Sequence, residues 1–154
     1  MSALSLAGTI GVSLNETLAR VRIAGGEFTA RWRIGSQKEG DDFEATITTS
    51  GPFEVQTQHA HVEPGGQFGW HKHSGIVIGE VVTGTLTFYE GDDPTCTPHP
   101  YGPGQGFAEN GGQIHNSRNE GTEQVDVYFT YVMPPDIPRS FLVGNPGVCA
   151  FRGF

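Results

Sequence analysis

The chain has 154 residues, enough for one domain with a real core and too few for two. Nine Lys and Arg against 17 Asp and Glu give a formal charge of −8 at pH 7, and no stretch gathers enough cations to follow a phosphate backbone, so nucleic acid and anionic membrane surfaces are not expected partners. No apolar run approaches the roughly 18 residues of a bilayer span, while 23 Gly and 10 Pro announce frequent tight turns, which suit many short strands.

In chain order, "MSALSLAGTIGVSL" lacks a basic leader and is interrupted by Gly, Thr and Ser. It reads as an N-terminal arm over residues 1–15 and not as a signal peptide. Period-two runs then recur: "TLARVRI", "EFTARWR", "FEATITT", "FEVQTQHAHV", "GIVIGEVV", "TLTFYE", "GQIHNSRN" and "QVDVYFTYVM". In the second, Phe28, Ala30 and Trp32 alternate with polar residues, and in the last Val125, Val127, Phe129, Tyr131 and Met133 share one face. No run of ten residues carries a helical period. Turn-forming stretches such as "GSQKEGDD", "EGDDPTCTPHPYGPGQG" and "NEGTEQ" separate the strands. Eight or more evenly spaced strands predict an all-β fold, a barrel or an antiparallel double-sheet jelly roll, within a single domain over 1–154 whose barrel occupies 16–154. The mouth of such a barrel is where a small molecule would bind.

Cys96 and Cys149 are too few and too far apart for a zinc ribbon. They read first as free thiols in a cytoplasmic protein, with a disulfide and export as the alternative. The sequon Asn15-Glu16-Thr17 is short enough to arise by chance.

Chemistry concentrates in "PGGQFGWHKHSG", where His71 and His73 stand two apart and so share a strand face. His115 opens another strand after a Gly-Gly turn. Three neutral imidazoles converging from two strands would form an open ligand set for a divalent metal; three unrelated surface histidines are the plainer alternative.

The spacing resembles the two motifs of the cupin superfamily. Gly65, His71, His73 and Gly84 fit the first, Gly104, Gly112, His115 and Asn119 the second, and 19 residues separate Gly84 from Gly104. The resemblance implies a jelly-roll β-barrel with motifs over 65–84 and 104–119, and a metal held by His71, His73 and His115. Two positions depart from it. Asn110 stands where the second motif has Pro, and Val77 stands where many cupins carry a ligand Glu. Glu80 has the opposite parity to Val77 and is not expected to replace it. A His-only shell leaves the charge of the metal uncompensated, which favours an anionic or chelating ligand at the open positions.

Among cupins with three His, the resemblance points to thiol, diketone-cleaving and gentisate-type dioxygenases. The expectation is therefore an Fe(II)-dependent dioxygenase acting on a small anionic or chelating molecule. Mn, Ni, Zn or Cu serving an isomerase or lyase is the alternative, as is a non-catalytic cupin binding a small molecule or a structural metal. Resemblance also suggests a homodimer through edge strands. The substrate-binding Arg of thiol dioxygenases has no assignable counterpart here, and parity does not single out Arg118. Around this site, His59 and His61 are expected to face outward, because Val62, Ala60 and Gln58 take the inward face. Gln58 is then the neutral group placed to orient a substrate or a metal-bound water. Trp70 is expected to pack between sheets and His99 to lie in a surface loop.

Overall fold

The computed structural model describes residues 9–25, 27–34 and 43–149. Twelve strands are present among them: β1 (Ile10–Ile23), β2 (Glu27–Ile34), β3 (Phe43–Ser50), β4 (Phe53–Gln67), β5 (His71–His73), β6 (Ile76–Thr83), β7 (Leu86–Glu90), β8 (His99–Tyr101), β9 (Gly106–Glu109), β10 (His115–Asn119), β11 (Val125–Met133) and β12 (Ser140–Leu142). No helix occurs among the described residues. Residues 1–8 of the expected arm lie outside the described residues, as do the side chains of Phe28 and Trp32; from Ile10 onward the chain is already strand β1.

Every pairing is antiparallel. One layer runs β1-β4-β11-β6-β9 and the other β12-β5-β10-β7-β8, and the two meet where Arg118 of β10 pairs Gln67 of β4. This is the expected double-sheet jelly roll, with β2 and β3 forming a separate two-stranded sheet. Two strict alternations drive it. In β11, Val125, Val127, Phe129, Tyr131 and Met133 are all buried while the residues between them are half exposed. In β6, Val77 and Val81 are buried between exposed Ile76, Ile78 and Glu80. Each fully buried Val or Leu contributes on the order of 1.5–3 kcal/mol, and Ala60, Val62, Leu86, Phe88 and Phe107 complete this main core. Phe107 fits because its cross-strand partner is Gly79: a Cβ there would lie 1.9 Å from the Phe107 ring.

The motif residues have physical roles in this frame. Gly65, Gly84, Gly104 and Gly112 all adopt positive φ, between 71° and 88°, a region costly for any side chain. The Asn119 side chain, fully buried, donates to Val62 O at 2.9 Å and Glu123 O at 2.7 Å and accepts from Gly121 N at 2.9 Å. It therefore closes the turn into β11 and plays no part in the pocket.

A smaller cluster joins Trp70, Tyr89, Cys96 and Cys149. Trp70 packs there, away from the pocket, as its parity predicts. The cysteines are not free: Cys96 and Cys149 form a disulfide. Loop and tail distances cannot be read from a pair 53 residues apart, so composition alone favoured thiols.

Candidate metal centre

Alternation along β5 turns His71 and His73 to the same side while Lys72 points to solvent. His115, the first residue of β10, pairs directly with His71. All three imidazoles are buried, with ring centroids 4.3–5.0 Å apart. Each Nδ1 faces a backbone carbonyl: Gly69 O at 2.7 Å for His71, Arg139 O at 3.2 Å for His73 and Gln113 O at 3.2 Å for His115. An acceptor on that side calls for a proton on Nδ1, which leaves the Nε2 lone pairs turned toward one another. His71 Nε2 and His73 Nε2 are 3.2 Å apart.

A fourth donor enters from β9. Glu109 Oε2 lies 3.1 Å from His73 Nε2 and 3.2 Å from His115 Nε2, is buried, and has no hydrogen-bond partner. Three converging lone pairs and an orphaned carboxylate oxygen repel one another unless a cation stands among them. The three imidazoles therefore fit a divalent metal, and Glu109 Oε2 is the carboxylate oxygen nearest to two of them. His71, His73 and His115 come together as expected, and Glu109 stands beside two of them. Position 77 is indeed an apolar, fully buried Val, and its cross-strand partner on β9 is Glu109. A carboxylate thus stands across the sheet from position 77. The signal was available in "GFAE": Phe107 and Glu109 share parity, so an inward Phe107 implies an inward Glu109. Four residues were too few to stand out as a strand. Glu80 points to solvent, as expected.

Burial, and secondarily the charge of His73, lowers the pKa of His71 to about 4; burial, then His71, lowers that of His115 likewise to about 4. Both are neutral ligands at pH 7. Because these folded-state values lie below the unfolded 6.5, the unfolded chain binds more protons between pH 6.5 and 4. Metal-free protein is thus expected to lose stability as pH falls through that window, which denaturant titrations at pH 7.5 and 5 would measure. Equal midpoints would contradict neutral buried imidazoles.

The three His and Glu109 form the floor of a cleft of about 470 Å³, counting its open mouth, whose walls include Phe68, Phe88 and Phe129. Along one side runs a polar chain. The Tyr131 hydroxyl donates to Gln58 Oε1 at 2.7 Å, the Gln58 amide donates to Asn15 Oδ1, and Arg139 Nη2 donates to the same Asn15 oxygen at 3.2 Å. Gln58 is inward as expected, but both ends of its amide are engaged by protein, so it positions Tyr131 and Asn15. Burial pushes the Tyr131 phenol well above its ordinary pKa, so it is a donor and not a base. Sequence reasoning missed Arg139, whose place beside His73 comes from β12 pairing with β5. Arg118 has the opposite parity to the pocket residues His115 and Ser117. His59 and His61 lie on the outer face of β4, half exposed, and His99 is exposed on β8.

A cupin domain model matches residues 58–131, which include Gln58, the three His and Glu109. No curated protein matches the chain. Among solved structures, the DMSP lyase DddQ from Ruegeria pomeroyi aligns with a TM-score of 0.50 at 17% identity, over 60% of this chain and 45% of that one. An oxalate oxidase aligns at 0.49 and 20% identity, over 58% and 46%. A double-stranded β-helix protein from Klebsiella pneumoniae aligns at 0.48 and 20%, over 58% and 70%. The alignments cover less than half of the lyase and oxidase chains, and likeness at this identity shows the fold alone.

Proposed function

We propose that this chain, whose residues 58–131 match a cupin domain model, is a mononuclear metal-dependent enzyme for a small anionic organic substrate, with Fe(II) as metal and dioxygen as co-substrate. The observation that carries the metal is the convergence of one ring nitrogen from each of three buried imidazoles, with the unpartnered Oε2 of Glu109 beside His73 and His115. Imidazole and carboxylate together suit iron, with manganese next. Such an ion, when bound, supplies a Lewis-acidic, redox-capable centre.

The rest of the work falls to this chain. Arg139, partly buried at the cleft, offers a fixed cation for a substrate carboxylate, and the Asn15 oxygen holds its guanidinium in place. The Tyr131 hydroxyl, kept protonated by burial, serves as a neutral hydrogen-bond donor held by Gln58. The Phe68, Phe88 and Phe129 rings exclude water and strengthen each of these interactions. Glu109 replaces the charge argument of a His-only shell: with the metal partly neutralised, preference for an anion rests on Arg139.

The test is elemental analysis of wild type and His73→Ala after expression with iron, manganese, nickel, copper and zinc available, followed by oxygen uptake with a panel of small carboxylic acids and thiols. About one equivalent of metal is expected in wild type, most of it lost in the variant with the fold intact. For an active acid, Arg139→Ala is expected to raise KM about 10- to 100-fold, the loss of one charged hydrogen-bonding contact. A wild type that stays metal-free after anaerobic reconstitution refutes the enzyme reading. Turnover without oxygen uptake refutes the dioxygenase and leaves a metal-dependent lyase or isomerase.

A further inference from the structure

The outer face of β4 carries the second His-x-His pair, which the cleft does not use. His61 pairs across the sheet with Asp126 of β11, and His59 pairs with Tyr128 of β11 on one side and Glu16 of β1 on the other. All these side chains therefore project from the same face. We propose that His59, His61 and Asp126 form a second, solvent-accessible site for a divalent transition ion such as Zn2+, independent of the centre in the cleft.

Geometry supports it. One ring nitrogen each of His59 and His61 and one Asp126 oxygen all lie within 4.8 Å of one another. Asp126 Oδ1 is 2.6 Å from His59 Nε2 and 3.7 Å from His61 Nε2. Ligands of a tetrahedral zinc with bonds of about 2.0–2.1 Å stand roughly 3.3 Å apart, so a small rotation of the Asp126 carboxyl away from His59 opens the set. The two imidazoles are already oriented. The His59 ring stacks on Tyr128 with centroids 4.2 Å apart and 5° between planes, and the His61 ring meets it edge-on at 4.8 Å. Glu16 Oε1 stands 3.6 Å from His59 Nδ1, on the ring edge away from Asp126. The Asp126 carboxylate can only accept, so without an ion His59 Nε2–H donates to it at 2.6 Å; a bound ion takes the place of that proton, and Glu16 beside Nδ1 favours keeping the ring's remaining proton on that side.

Side-chain exposures of 14% for His59, 30% for His61 and 26% for Asp126 make the site reachable, with room for water to complete the coordination. The chemistry selects among ions. Two imidazoles and one carboxylate exclude Ca2+ and Mg2+, which need oxygen shells, and favour zinc or copper. All three ligands stand on β4 and β11, adjacent strands inside one sheet, so little chain entropy is lost on binding.

Equilibrium dialysis of the full chain against micromolar free Zn2+, with metal counted by mass spectrometry, tests this. Wild type is expected to hold two equivalents, His73→Ala one, His61→Ala one, and the double variant none. Asp126→Asn in the His73→Ala protein is expected to weaken the remaining site at least about tenfold. Circular dichroism checks folding, and Asp126→Asn, a near-isosteric surface change, serves if His61→Ala folds poorly. A wild type holding one equivalent that is lost with His61→Ala and kept in His73→Ala supports the outer site while defeating the cleft reading. The proposal is overturned if His73→Ala protein takes up no Zn2+, or if its equivalent survives both His61→Ala and Asp126→Asn.

Discussion

Glu109→Gln is expected to lower affinity for a divalent metal by about 100-fold or more, while making the metal-free protein more stable. The two signs follow from one geometry. With metal bound at the three imidazoles, Glu109 would supply the negative charge beside it, and its loss would leave the ion held by neutral imidazoles. Without metal, Oε2 faces the Nε2 lone pairs of His73 and His115 at 3.1 and 3.2 Å with no hydrogen to share. An amide NH2 in that place can donate to one of them, which removes an unsatisfied buried acceptor costing about 1–3 kcal/mol. Metal titration and denaturant midpoints of the metal-free proteins check the pair of effects. If affinity and metal-free stability both fall, Glu109 is a structural partner of the histidines and not a ligand. The register supplies a sharper form. Val77 and Glu109 are cross-strand partners, so Glu109→Ala combined with Val77→Glu should recover part of the affinity. Val77→Glu alone sets two carboxylates opposite each other and should destabilise the fold.

What was legible in the sequence divides by the length of the signal. β11 and the first part of β4 alternate over nine or more residues, so their inward faces, including Gln58, could be read directly. The convergence of three histidines was legible because His71 and His73 share a face by simple alternation, while His115 needed the spacing of a second motif. Arg139 was not legible, and Glu109 was legible only through its parity with Phe107 once β9 is known to be a strand. Each belongs to a short element, β9 of four residues or the approach to β12 of three, where pairing with a distant strand and not local pattern decides the structure. The same limit applied to the cysteines: whether they meet depends on where a tail after β12 and a loop before β8 are carried, and neither has a period to read.

Removing the disulfide by Cys96→Ser with Cys149→Ser is expected to cost about 2 to 4 kcal/mol and to weaken metal binding as well. Closing a loop with ends 53 residues apart is worth about 4 kcal/mol on the chain-entropy account. Both cysteines hold positive φ, 54° and 59°, at about 1–2 kcal/mol each; where the variant lets them relax, part of the loss is returned. Against a typical domain stability of about 5–15 kcal/mol this is a large fraction. The effect on metal follows from what the tail carries. Val143 N donates to Trp70 O at 3.0 Å, beside His71. β12 pairs Leu142 with His71 and Ser140 with His73, and the Arg139 carbonyl accepts from His73 Nδ1. The bond thus clamps the strand that orients His71 and His73, two of the proposed metal ligands, and brings Arg139 to the cleft. Hydrogen exchange should show protection lost first over 139–149 and β5, before the main core, with metal affinity falling in parallel. Thiol titration of unfolded, unreduced protein should find no thiol, and two after reduction. Two thiols without reductant would show that the bond does not form, and equal metal affinity in the double variant would show that the site is held by β5 and β10 alone. A bond with this role makes metal loading depend on the redox conditions of folding, so protein refolded under thiol reductant should load less metal than the same chain refolded in glutathione buffer.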